Sequence, residues 1–234
     1  MGGIVKRILA IDTATDAVVA GVATLGAEGA GIDTRAERRV ADGRRHAEIL
    51  TTLIGEVLTE SGTARADLDA VVVGCGPGPF TGLRVGMATG AAFGDALGLP
   101  VYGVCSLDAV AWQVFSERPT VRSVLVVTDA RRREIYWARY VDGRRLGEPQ
   151  VTAPAQVVDE MSAESIDLVV GSPVHAAMFD RAVGDASTPS VAGLVASAAD
   201  DLRSGATPRP LVPLYLRRPD AVESAKRKRL GVVR

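Results

Sequence analysis

Two histidines, two cysteines and an aromatic content of 4% set the first limits on what this chain of 234 residues can do. His46 and His175 stand far apart, and Leu50 occupies the position where a second helical metal ligand would follow His46. A histidine pair on one helix is therefore impossible, and without a cysteine cluster a zinc or iron centre has no ligand set. No metal is expected, and metal-dependent proteolysis lacks its chemistry. Cys75 and Cys105 each end an apolar run with no histidine beside them, so they are expected to be buried free thiols rather than nucleophiles. So few aromatic residues also argue against a base-stacking surface. No apolar run reaches the length of a membrane span, and the first residues lack the apolar core of a signal peptide. The expectation is a cytoplasmic protein without membrane contact. Net charge is −1, but residues 211–234 hold seven Arg/Lys against two Asp/Glu, so a mildly acidic body carries a basic tail centred on Lys226-Arg-Lys-Arg229.

What the chain does have is 47% hydrophobic residues, enough for one large or two small domains, and one stretch dense in Gly and Pro. Ala70 to Val73 is an apolar β-branched run, as in a buried parallel strand. Gly74-Cys-Gly-Pro-Gly-Pro-Phe-Thr-Gly-Leu-Arg84 follows, and Leu83 to Leu97, proline-free and rich in Ala, Met and Leu, is predicted helical. Strand, stiff turn and helix in this order aim helix amides at an anion, or seat a partner, at a strand's C-terminal end. Two phosphate loops fail here. A P-loop needs Lys after its last glycine, where Leu83 stands, and the dinucleotide pattern needs glycine at Pro79. Gly76, Pro77, Gly78, Phe80, Thr81, Gly82 and Arg84 are therefore assigned to a structural loop. Beyond it, Gly82, Gly86, Gly90, Gly94 and Gly98 recur every four residues, so the middle three share one bare helix face. Either a partner helix or the chain's own sheet can lie against such a face.

Around this centre, Ile8 to Ile11 and Val18 to Thr24 are predicted strands joined by Asp12-Thr-Ala-Thr15. Ile32 to Val40 is a charged strand suited to an edge. His46 to Glu60 carries Ile49, Leu50, Leu53, Ile54, Val57 and Leu58 at helical spacing. Val101 to Val104 is a strand, and Ser106 is a predicted N-cap for a helix to Phe115. Glu117-Arg-Pro-Thr120 breaks the pattern. Strands at Val121 to Asp129, Glu134 to Tyr140 and Ile166 to Val170 follow, then helices at Pro173 to Val183 and Val191 to Leu202. Pro208 to Pro213 is an extended connector.

The central loop, read with Ile8-Leu-Ala-Ile-Asp-Thr-Ala-Thr15, Arg45-His46-Ala-Glu48, Val104-Cys-Ser-Leu107, Thr128-Asp-Ala-Arg-Arg132 and Pro213-Leu-Tyr-Leu-Arg217, resembles the TsaB family of bacterial tRNA threonylcarbamoyladenosine biosynthesis proteins. That family usually has serine at the position of Pro79. The resemblance implies an α/β, two-lobed actin/sugar-kinase/Hsp70-like (ASKHA) fold, each lobe a mixed β-sheet with helices. With the boundary set at the pattern break of Glu117 to Thr120, the N-terminal lobe is expected at 1–117, a smaller C-terminal lobe at 118–212, and a C-terminal segment with the tail at 213–234. In the superfold the first turn holds nucleotide phosphates, which makes Asp12, Thr13 and Thr15 a vestigial nucleotide site. Thr13 stands where active members have glycine, so no cofactor is expected, and capping of its own turn is the alternative role for Asp12. The implied function is a non-catalytic subunit that pairs with TsaD, and with the ATPase TsaE, to support threonylcarbamoyl transfer to position 37 of tRNAs decoding ANN codons. Contact with tRNA would be indirect, and a homodimer is possible without TsaD. The expected partner surface is His46, Ile49, Leu50 and Leu53 with Gly86, Gly90 and Gly94, so Gly90→Leu should abolish pairing and spare the fold. The competing function is a self-sufficient small-molecule kinase or ATPase of the same superfold.

Overall fold

The apolar runs assemble into two mixed sheets. The structure, a computed structural model, describes residues 5–29, 31–41 and 46–217, with the backbone alone at His46 and Ala47. Arg45, the side chain of His46 and the Lys226 to Arg229 run lie outside the described residues. β1 (Lys6–Asp12), β2 (Ala17–Leu25) and β3 (Ile32–Ala41) form an antiparallel meander. β4 (Ala70–Gly74) and β5 (Val101–Val104) join β1 in parallel, giving the order β3-β2-β1-β4-β5. β4 is covered on both faces, as its unbroken β-branched run requires. β3, with Asp33, Arg35, Glu37, Arg38 and Arg39, is the charged edge.

Helices cover both faces of this sheet. On one lie α1 (His46–Glu60) and α2 (Phe80–Leu97), where Leu50, Leu53, Ile54, Val57 and Met87 pack on Leu9, Ile11, Val71 and Val73. α2 begins three residues before its apolar pattern does, directly after Pro79, and stops at Gly98, whose φ of 65° is the left-handed conformation glycine adopts without strain. α3 (Ser106–Glu117) follows β5. It touches the first sheet's opposite face through Ala109 and the second sheet through Leu107, Val110 and Val114.

The second sheet is built from β6 (Ser123–Asp129), β7 (Ile135–Val141), β8 (Arg144–Thr152) and β9 (Leu168–Gly171) in the order β8-β7-β6-β9. That order repeats β3-β2-β1-β4, with the parallel pairing at the same step. α4 (Pro154–Met161) and α5 (Pro173–Ala176) cover its outer face through Val157, Met161 and Ala176. α6 (Val191–Ser197) and α7 (Ala199–Ser204) then return to the first sheet, where Val191, Leu194, Val195 and Leu202 pack on Ile8, Val19 and Val72. Residues 118–212 are thus not confined to the second sheet.

Several expected elements differ. Ser106 is the first helical residue and Cys105 the cap, because the Ser106 hydroxyl bonds back to β1. The helix expected over 173–183 stops after Ala176: the chain turns and Val183 pairs with Val169 beside β9. The helix expected over 191–202 is interrupted at Ala198, whose φ and ψ of −110° and 5° lie outside the helical range. β8 and α4 were not foreseen at all.

Candidate functional site

The C-terminal ends of β1 and β4 meet at a buried carboxylate. Asp12 is wholly buried; its Oδ1 accepts from the Ala14 N–H at 2.8 Å and its Oδ2 from the Ser106 hydroxyl. Ser106 Oγ in turn accepts from the Gly76 N–H at 3.2 Å, and the Ser106 N–H donates to the Gly76 carbonyl at 2.7 Å. β1, the central loop and α3 are therefore joined through one side chain. Gly74 is glycine because the carboxylate occupies the space a side chain would need: a Cβ there would sit 1.7 Å from Asp12 Oδ2. Burial pushes the Asp12 carboxyl up to about 6, against the lowering pull of its bonds from Ser106 and Ala14. Asp12 caps its own turn, facing inward.

Thr13 also faces inward, fully buried, donating to the Gly82 carbonyl at 2.7 Å. Of the three residues assigned to a nucleotide site, Thr15 alone lines the cleft between the lobes, with Asp16, Pro79, Thr128, Asp129 and Ser172 among its neighbours. This cleft measures about 220 Å³. Thr128 Oγ1, buried at its wall, makes no hydrogen bond among the described residues. The loop beside it is no open cradle, since Gly78 faces the Ala14 carbonyl, whose oxygen lies 2.2 Å from where a Cβ would be. A carbonyl in that place repels a phosphate. Pro77 is buried with the loop, while Phe80, Thr81 and Arg84 emerge at the start of α2.

The glycine face of α2 looks inward, contrary to the partner surface expected for it. A Cβ on Gly86 would meet Thr13 Oγ1 at 2.3 Å, on Gly90 Val73 Cγ2 at 2.4 Å, and on Gly94 Val101 Cγ2 at 2.2 Å. Leu50 and Leu53 are likewise core residues, and Ile49 is half-buried. Apolar periodicity marks a buried face without saying what covers it; here it is the chain's own sheet. The outward residues of the two helices include Glu48, Thr51, Thr52 and Glu56 on α1 and Arg84, Ala88, Ala91, Ala92 and Asp95 on α2.

Other reactive groups are quiet. Both thiols are free. Burial first, then the Asp12 charge, pushes Cys75 up to about 12; burial first, then Asp108, does the same to Cys105. His175 Nδ1 lies 2.9 Å from the Ser172 hydroxyl. Among the described residues no His, Cys, Asp and Glu cluster could hold a metal, and no helix is long and apolar enough to cross a membrane.

Two lobes with repeated mixed sheets, meeting at a cleft beside the β1–β2 and β6–β7 turns, define an ASKHA-type α/β protein whose β1–β2 turn is folded inward. A family model described as TsaD, tRNA N6-adenosine threonylcarbamoyltransferase, matches residues 40–207. An uncharacterised Mycobacterium tuberculosis protein is 52% identical over 217 residues, covering 93% of this chain and 94% of its own length. The tRNA threonylcarbamoyladenosine biosynthesis protein TsaB of Haemophilus influenzae is 31% identical over 172 residues, 68% of this chain and 69% of that protein. YeaZ from Pseudomonas aeruginosa superposes with a TM-score of 0.72 at 27% identity, covering 90% of this chain and all of that one. This chain belongs to the TsaB family.

Proposed function

We propose that the protein is a non-catalytic subunit of the machinery that makes N6-threonylcarbamoyladenosine at position 37 of ANN-decoding tRNAs. It pairs with TsaD and supports threonylcarbamoyl transfer, with TsaE as the ATPase and tRNA reached through the partner. The observation that carries this reading is the outer surface of α1 and α2, where exposed Ala88, Ala91 and Ala92 beside Thr51 and Thr52 leave room for a second helix pair to pack closely. The same surface would serve a homodimer in the absence of TsaD. The quiet thiols and the inward Asp12 and Thr13 favour a supporting role over chemistry.

Co-purification with TsaD, and tRNA modification assayed with and without this chain, tests the proposal. Ala91→Glu places a charge on the outer face of α2 without touching the core. Its thermal transition should match the wild type, while affinity for TsaD falls roughly tenfold or more as a charge is desolvated without a partner. Unchanged affinity would remove this face as the interface, and steady ATP turnover by the isolated chain would restore the kinase alternative.

A further inference from the structure

Residues 211–217 cross the seam between the lobes. On the first lobe, Leu211 packs against the α1/α2 core and the Leu214 N–H donates to the Cys75 carbonyl at 2.9 Å. Tyr215 stacks on Phe80 with ring centres 5.1 Å apart and planes 22° from parallel. Arg84, its guanidinium carbon 3.8 Å above the Phe80 ring, donates from Nε to the Tyr215 hydroxyl at 3.0 Å. Two residues later the chain grips the second lobe. Arg217 Nη1 donates to the Ala130 carbonyl at 3.0 Å, and its guanidinium pairs with the Glu134 carboxylate.

The turn that Arg217 holds is strained. Arg131, Arg132 and Arg133 have φ of 61°, 53° and 65°, three consecutive left-handed residues without a glycine among them. The turn is closed by its own bonds, Ala130 N–H to the Glu134 carbonyl and Glu134 N–H to the Arg131 carbonyl, each at 3.0 Å, and its strain is offset further by contacts from outside. One of those contacts leads back across the cleft: Arg131 Nη2 donates to Asp16 Oδ1 at 2.9 Å, beside the cleft residues Thr15 and Asp129. The strap, the strained turn and the Arg131–Asp16 pair thus form one continuous tie from α2 through the second lobe to the β1–β2 turn.

We propose that residues 211–217 are a latch that holds the interlobe cleft shut, with Arg217 as its catch and Tyr215 as its anchor on the first turn of α2. Releasing Arg217 lets residues 131–133 leave the left-handed region, which withdraws Arg131 from Asp16 and frees the lobes to part. Because the anchor rests on Phe80 and Arg84, the state of the latch is transmitted to the start of the helix whose outer face is offered to a partner. The latch belongs to the isolated chain and stands whether or not the pairing with TsaD does. Its Arg131–Asp16 pair is largely exposed and its Arg217–Glu134 pair partly so, and added salt loosens both.

Amide hydrogen exchange on the full chain tests it. Arg217→Ala and, separately, Tyr215→Ala should speed exchange roughly tenfold at 129–134 and at 14–17, as loss of a charge-assisted hydrogen bond predicts, with β1, β4 and the rest of β6 unchanged. High salt should move the wild type in the same direction. Asp16→Asn should speed exchange at 14–17 and 129–134 while leaving 211–217 protected. Acceleration confined to 211–217 in both strap variants would overturn the proposal, because the segment would then be packed on the lobes without hold on the cleft. If Arg217→Ala does not fold, Arg217→Lys keeps the charge but cannot reach the carbonyl and the carboxylate together. Wild-type exchange in that variant at both 129–134 and 14–17 would equally overturn it.

Discussion

Gly90→Leu should lower the thermal transition steeply rather than report on partner binding. A Cβ at Gly90 already falls 2.4 Å from Val73 Cγ2 and 3.3 Å from Ile11 Cδ1, and both residues are fully buried at the centre of the first sheet. Leucine adds three more carbons in the same direction, and the only relief is to lift α2 from the sheet. Overpacking of this kind costs about 3 kcal/mol or more, a large part of a stability of roughly 5–15 kcal/mol. Circular dichroism on heating, with the soluble yield as a second readout, checks it. A soluble variant with a wild-type transition would show that α2 does not lie against β1 and β4 as described.

Asp12→Asn is expected to act in the opposite direction. The folded state raises this carboxyl from an ordinary value of 3.8 to about 6, chiefly through burial. An acid with a raised folded value contributes stability that is fully present below pH 3.8 and is lost as pH rises through about 6. The difference corresponds to about 3 kcal/mol at neutral pH. Asparagine keeps an acceptor for the Ala14 N–H and its amide donates to Ser106 Oγ, so both links persist without the charge while the Ser106 O–H gives up its acceptor. At pH 8 the variant should unfold at a higher temperature or denaturant concentration by up to about 3 kcal/mol, and it should lack the wild type's loss of stability between pH 4 and 6. A destabilised variant at pH 8 would mean that the charge itself holds the loop.

The sequence announces best what one segment decides alone. β1, β2, β4 and β5 are short apolar runs, and α1 shows its inner face at helical spacing, so each could be read without knowing its neighbours. β8 could not: Arg144 to Thr152 contains Gly147 and Pro149, is exposed along much of its length, and is a strand because β7 offers it an edge. The short α5 has the same origin, since pairing of Val183 with Val169 diverts a stretch that looks helical in isolation. The site was legible as a place but not as a geometry. The central loop and the Asp12 turn were singled out from their residue types, but the inward turn of Asp12 depends on Ser106, 94 positions away. The glycine face of α2 was visible, and its side was not, because the residues that meet it belong to β1, β4 and β5. Phe80, Arg84 and Tyr215 all lie in the motifs that resemble the TsaB family, yet nothing local shows that they stack.

The return of α6 and α7 to the first sheet has a consequence during synthesis. The face of β1, β2 and β4 that carries Ile8, Val19 and Val72 is completed only by Val191, Leu194 and Leu202, near the other end of the chain. At about 5–20 residues per second, a ribosome needs roughly 10–40 s to deliver those helices after the sheet's first strands have left the exit tunnel. Throughout that interval an apolar sheet face stands open in the cell, a natural substrate for a holding chaperone, and a stalled or truncated nascent chain would keep it open indefinitely.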